Sequence, residues 1–89
     1  MADKKEHKVT VDIMDRNGHT TRVLVYDDVV EVVREEMGSG KWARVQNSSG
    51  QNNVYTQFEQ LRQEILDNRT RFSDTQKVTL ITALTGGQR

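Results

Sequence analysis

The sequence predicts an α+β domain: a mixed sheet, one central helix and one extra amphipathic helix. Three observations carry that prediction. Two runs near the start alternate apolar and polar residues around an Asn-Gly step, the pattern of a β-hairpin. Two later runs repeat their apolar residues at helical spacing. A short alternating run in the middle and a β-branched run near the end supply the remaining strands.

The elements follow in order. Lys8 to Met14 places Val9, Val11 and Ile13 on one face of a half-buried strand. Asp15-Arg16-Asn17-Gly18 is the hairpin turn, and Thr21, Val23 and Val25 are then expected to form the inner face of the second strand. Asp27 and Asp28 can cap a helix whose buried side carries Val29, Val33 and Met37, and Gly38-Ser39-Gly40 stops it. Lys41 to Gln46 reads as a third strand with Ala43 and Val45 inward and Trp42 and Arg44 on the opposite face. Asn47 to Asn53 is a polar, turn-rich segment that separates the two halves of the chain. From Asn53 to Leu66, Val54, Phe58, Leu61 and Ile65 fall at i, i+4, i+7 and i+11, so this stretch is expected to be a full amphipathic helix.

The last element is open to two readings. Ser73-Asp74-Thr75-Gln76 has capping-box spacing and Gly86 could follow a helix end, which would make Asp74 to Thr85 helical. Val78, Thr79, Ile81, Thr82 and Thr85 are all β-branched, and Val78, Leu80 and Leu84 share a face at period two, which favours a strand. The strand is the preferred reading, with Thr79, Ile81 and Ala83 facing away from that row.

Composition bounds the function. Eighty-nine residues make one small domain, too short to enclose a roomy active site. Residues 1–7 read as a flexible tail, 8–85 as the folded domain and 86–89 as a second flexible tail. Thirteen basic and thirteen acidic residues leave no net field to draw the chain to nucleic acid or an anionic membrane. The absence of cysteine removes disulfides, thiolate metal sites and cysteine nucleophiles, and fits a reducing cytoplasm. No apolar run has the length of a signal peptide or membrane span.

Strand, hairpin, strand, helix, strand and late strand is the order of the β-grasp fold. Within it, "LDNRTRFSDTQKVTLITALTGG", Leu66 to Gly87, resembles the C-terminal third of ubiquitin and its prokaryotic relatives. The shared features are an acidic turn followed by Arg-Thr, a Ser-Asp step, an apolar strand, a short tail and Gly-Gly. The chain departs from that family between its third and last long strands. There ubiquitin has a short strand and a tight turn, and here a full helix is predicted, as an insertion packed on the sheet's edge or open end.

The resemblance implies a chemistry for the tail. Such a protein is activated at its terminal glycine carboxylate by an ATP-dependent, E1-like activating enzyme, whose narrow cleft the tail must enter. Gly87 would carry that carboxylate and Gly86 would clear the cleft, and a processing protease would first remove Gln88 and Arg89. The resemblance also places the outer rows of the third and last strands side by side, where that family presents an apolar binding patch. Trp42, Arg44, Thr79 and Ile81 are the candidate partner-binding surface, since an exposed Trp beside an Arg has hot-spot character. Trp42 could instead pack beneath the extra helix, against Phe58 or Leu61.

No catalytic constellation is recognisable, and neither enzyme activity nor a cofactor is expected. His7 and His19 read as solvated residues, one in the tail and one beside the hairpin turn. Gly38-Ser39-Gly40-Lys41 lacks P-loop spacing and follows a helix where that loop would follow a strand. Glu31, Glu35 and Glu36 form a solvated helix face without a histidine to make a metal site. The expectation is a cytoplasmic, monomeric ubiquitin-like protein modifier whose partners are the activating enzyme, the protease and target proteins. A sulfur carrier of the same fold, or a noncovalent β-grasp adaptor, are the alternatives. Residues beyond Gly87 count against the sulfur carrier, which usually ends at the second glycine.

Overall fold

In the computed structural model of the chain, residues 7–15 and 18–82 are described. Five strands form one mixed sheet: β1 (Val9–Asp15), β2 (Gly18–Leu24), β3 (Lys41–Asn47), β4 (Asn52–Tyr55) and β5 (Thr75–Thr82). Their order across the sheet is β2-β1-β5-β3-β4. Central β1 and β5 run parallel, while β2 on β1, β3 on β5 and β4 on β3 are antiparallel. One helix, α1 (Tyr26–Gly38), packs across one face, so the fold is α+β as the sequence predicts.

The core lies between that face and the helical segments. Val9, Val11 and Ile13 of β1, Ala43 and Val45 of β3, and Val78 and Leu80 of β5 meet Val29, Val33 and Met37 of α1. These are the inward residues the alternation and helical spacing predict. Tyr26 to Gly38 is helical without a side-chain cap: Val25 is the N-cap, and Asp27 and Asp28 lie inside the first turn. They are not caps, and they favour the helix by placing negative charge at the positive end of its dipole. The helix ends as the Gly-Ser-Gly stop predicts. The Ser39 amide donates to the Glu35 and Glu36 carbonyls, and Gly40 takes φ of +107°, open to glycine at little cost.

Strand β2 is inverted relative to expectation. Pairing Asp15 with Gly18 across the turn sets Thr10 opposite Val23 and Asp12 opposite Thr21. Thr21 and Val23 therefore share the outer face of the sheet, Val23 is 61% exposed, and Val25 has left the strand. Thr20, Arg22 and Leu24 take the inner side, opposite Ile13, Val11 and Val9. The two-residue turn length, not the valine spacing, decides the face, because a slip of one residue reverses every side chain. Arg16 and Asn17 lie outside the described residues.

The predicted helix from Asn53 to Leu66 is two elements. Asn52 to Tyr55 form β4, hairpinned to β3 through a turn in which Gly50 takes φ of +90° and the Asn47 side chain accepts from the Ser49 and Gln51 amides. Val54 thus leaves the apolar helix stripe and stands 54% exposed on the outer face opposite Arg44, while Tyr55 turns into the core opposite Ala43. Helix α2 (Phe58–Leu61) then continues into a π-helical turn, Arg62–Leu66. The widened turn is closed by the Asp67 amide on the Arg62 carbonyl at 2.7 Å. In a regular α-helix Leu61 and Leu66 would point about 140° apart. The wide turn lets Leu61, Ile65 and Leu66 all face the core.

A further short helix, α3 (Arg69–Ser73), is capped by Asn68, whose side-chain oxygen accepts from the Arg71 amide at 3.2 Å. It buries Phe72, edge-on to Tyr26 with ring centroids 5.0 Å apart. The Tyr26 hydroxyl in turn donates to the Leu66 carbonyl at 2.9 Å. The Ser73–Gln76 capping-box reading gives way to a strand: β5 begins at Thr75 and runs to Thr82 between β1 and β3. His7 is half-buried, with its Nε2 2.7 Å from the Thr75 carbonyl and its ring edge-on to Phe72. It is therefore tied to the start of β5, not solvated as expected.

Candidate functional site

The face of the sheet opposite α1 is where the predicted recognition residues come together. The register aligns one row across all five strands, Thr21, Asp12, Thr79, Arg44 and Val54. Trp42 pairs with Ile81 one step toward the end at which β5 leaves the sheet. Trp42, Arg44, Thr79 and Ile81 are thus adjacent on one face, but of the four only Arg44 is exposed: Trp42, expected to be exposed, is half-buried, as is Ile81, and Thr79 is buried. Trp42 does not lie under α2: Leu61 belongs to the core on the other side of the sheet, and Phe58 packs against that core.

Side-chain chemistry makes this face asymmetric. Asp12 is only 7% exposed, yet its charge is met twice, by the Thr21 hydroxyl at 2.6 Å and by Lys77 Nζ at 3.1 Å. The Thr21 hydrogen bond, outweighing the opposing effect of burial, and the Lys77 charge hold the Asp12 carboxyl below its usual range. Arg44, by contrast, is exposed and forms no ion pair among the described residues. Beside it Thr79 is 3% exposed, and its hydroxyl makes no side-chain hydrogen bond among the described residues. A buried hydroxyl without a partner is uncommon enough to mark the spot.

Two members of the face escaped the sequence reading. Met14, 39% exposed, lies on the outer side of β1, one residue past the Ile13–Leu80 pair, and so extends the Trp42–Ile81 patch. Its place at the end of the alternating run was a usable signal. Val54 was hidden because its spacing to Phe58 also fits a helix. Among the described residues the four largest exposed apolar side chains are Met14, Val23, Val54 and Tyr26, and the first three share this face.

Lys41 marks the end of the sheet from which the C-terminal segment departs. It pairs with Thr82, the last residue of β5, and its ammonium lies 3.0 Å from both Asp15 and Glu36. Hydrogen bonding to Glu36 and then to Asp15 raises its pKa, against the opposing effect of burial. The Gly38–Lys41 stretch is therefore a helix stop followed by an engaged lysine, not a phosphate cradle. Of the described lysines, Lys41 and Lys77 are held by carboxylates and Lys8 is exposed. Gly86 and Gly87, the predicted conjugation residues, lie outside the described residues, as do Ala83, Leu84, Lys4 and Lys5.

The remaining surface offers less. A cleft of about 530 Å³ lies between the start of α1 and α3, lined by His7, Tyr26, Asp27, Arg69 and Phe72. Among the described residues no group of three or more histidine or acidic side chains is placed to hold a metal ion, and no helix is long and apolar enough to cross a membrane. His19 and Glu31 and Glu35 are exposed. Comparison of the chain with family models, with curated proteins and with solved structures finds no match.

Proposed function

We propose that this protein is a β-grasp, ubiquitin-like protein modifier, processed after Gly87 and joined through that glycine's carboxylate to amines on target proteins. One observation carries the reading. The parallel central pair of β1 and β5 sits in a sheet of order β2-β1-β5-β3-β4, and the chain runs from the end of β5 at Thr82 into the segment that bears Gly86 and Gly87. A last described strand paired on both sides, followed in sequence by two glycines, suits threading of a thin backbone into the cleft of an E1-like activating enzyme. Strand β4 adds support, since a short strand between the third and last long strands is the family's pattern where a full helix had been expected. The open face bearing Trp42, Arg44, Thr79 and Ile81 would be the surface that partners recognise.

The intact mass of an N-terminally tagged copy recovered from its native host tests this reading, together with any heavier tagged species. A product ending at Gly87, with conjugates that vanish when Gly87 is deleted, is expected. A thiocarboxylate on that product, without conjugates, would make it a sulfur carrier. A full-length species retaining Gln88 and Arg89 under all growth conditions would replace the modifier with a noncovalent adaptor working through the open face alone.

A further inference from the structure

The cleft between the start of α1 and α3 is built from separate parts of the chain. Its apolar walls are the rings of His7, Tyr26 and Phe72, with Val25 beside them. Phe72 is buried and meets both other rings edge-on, His7 at 5.5 Å and Tyr26 at 5.0 Å between centroids. The polar end of each outer ring is tied to backbone, His7 Nε2 to the Thr75 carbonyl and the Tyr26 hydroxyl to the Leu66 carbonyl. These rings are therefore held before anything enters, and Tyr26 remains exposed even so.

Two opposite charges share the cleft. Arg69, the first residue of α3, and Asp27, in the first turn of α1, both line it and both are exposed. Among the described residues neither forms an ion pair, with the other or with any third group. That arrangement selects an occupant by charge. An anion entering beside Arg69 meets the Asp27 carboxylate, and a cation beside Asp27 meets the Arg69 guanidinium. A neutral aromatic molecule covers both charges and pairs neither, which costs desolvation without return. A small zwitterion carrying a ring satisfies the walls and both charges at once. At about 530 Å³ the cleft has the size of a small-molecule site.

We infer that this cleft binds a free aromatic α-amino acid. Its carboxylate lies on the Arg69 guanidinium, whose fork can take both oxygens, and its ammonium lies on the Asp27 carboxylate. Its ring rests against Tyr26 and Phe72, where edge-to-face or offset contact is favourable. An internal residue of a polypeptide has lost both charges to its peptide bonds, so a free amino acid fits this pair of charges and a partner protein's segment does not. The site lies beside Thr75, where β5 begins, and not at Thr82, where the strand ends. It stands whether or not Gly87 is conjugated.

The test is a titration of the full chain with L-phenylalanine, followed by amide chemical shifts. Saturable shifts confined to 25–28, 69–73 and His7 are expected. Phenethylamine, which lacks the carboxylate, and 3-phenylpropionate, which lacks the ammonium, should each bind about fivefold more weakly. L-Alanine, which lacks the ring, should leave the spectrum unchanged. Arg69→Gln should let phenethylamine bind at least as well as phenylalanine while 3-phenylpropionate stays disfavoured, and Asp27→Asn should do the reverse. Both side chains are exposed, so the fold should tolerate either change, which unfolding curves check. The inference is overturned if the cleft amides stay unmoved at millimolar phenylalanine, if both one-charge analogues bind as well as phenylalanine, or if the two variants leave that ranking unchanged. Shifts centred on Trp42 and Ile81 instead of the cleft would also overturn it.

Discussion

Replacing Lys41 with methionine keeps most of the aliphatic stem and removes one charge from a site where three elements meet. Its side chain is 14% exposed and holds Asp15 at the end of β1 and Glu36 in the last turn of α1. With both oxygens 3.0 Å from the ammonium, the two carboxylates lie within about 6 Å of each other. Without Lys41 their repulsion is about 0.7 kcal/mol at the dielectric of water and about 3 kcal/mol at an effective value near 20. Two charge-assisted hydrogen bonds are lost as well, and hydration of the half-exposed Asp15 returns part of that. A net loss of about 2 kcal/mol is expected. At about 2.1 cal/mol/K per residue for the unfolding entropy, this corresponds to a Tm lower by about 10 °C.

Thermal and urea unfolding of the variant measure that loss, and adding Glu36→Gln to Lys41→Met should recover about 1 kcal/mol by removing one of the repelling charges. The pH dependence has a definite sign. Because the folded-state pKa of Lys41 is raised above 10.5, its contribution is fully present below that value and is lost as pH rises through the raised pKa. The gap between native protein and variant should therefore hold to about pH 10 and close only above it. A loss below about 0.5 kcal/mol, or no recovery in the double variant, would show that the bridge is solvated and that the end of β5 is held by its ladder alone.

The register of β2 predicts that Val23→Thr changes stability by less than about 0.5 kcal/mol, whereas Val11→Ala, opposite Arg22 but fully buried, costs about 2 kcal/mol; denaturant titration compares them. Asp12→Asn should cost about 1 kcal/mol at neutral pH. Since the Asp12 pKa is lowered in the fold, that cost is present above about pH 4 and fades as pH falls through the depressed value, which unfolding curves at pH 3 and pH 7 reveal. Burial, and then the Glu64 carboxylate 2.9 Å from its hydroxyl, raises the pKa of Tyr55. Ultraviolet titration should show Tyr55→Phe removing a phenol that ionises above the ordinary tyrosine range, at a cost of about 1 kcal/mol in stability.

Residues whose neighbours in sequence are also their neighbours in space were legible from the chain. Val29, Val33 and Met37 share the buried side of α1 because the 3.6-residue repeat fixes it, and Ala43 and Val45 turn inward because alternation has only two outcomes. The β-branched run of β5 outweighed a capping-box pattern four residues long. Val23 was misplaced because its face depends on turn length, a property of Arg16 and Asn17 that valine spacing does not carry. Val54 was misplaced because four positions before Phe58 fits a helix, while its pairing with Arg44 is a tertiary fact. The π-helical turn follows from the need to bury both Leu61 and Leu66, which no regular period accommodates. Of the proposed recognition face, Trp42, Arg44, Thr79 and Ile81 were visible from strand parity; Met14 and Val54 required the register.

The apolar content of that open face calls for a cause beyond folding. A domain of this size has one principal helix to cover its sheet, and α1 with the segments after β4 spends itself on the inner side. The outer side must face water, and exposed positions there could be threonine or lysine at a cost within about 0.5 kcal/mol. At Asp12, Thr21 and Lys77 the chain does use polar residues, tied into a closed network. At exposed Met14 and Val54 and half-buried Trp42 and Ile81 it does not, and beside them, among the described residues, Arg44 forms no ion pair and the Thr79 hydroxyl no side-chain hydrogen bond. A stability-driven surface would distribute these residues the other way, with the charge satisfied and the apolar groups replaced. Their arrangement suits a surface completed by a partner, so Trp42→Ala, which truncates a half-buried ring, should cost about 1 kcal/mol in unfolding while reducing recovery of bound proteins from host lysate by much more than that loss explains. An equal loss of stability and binding would instead assign Trp42 to the fold.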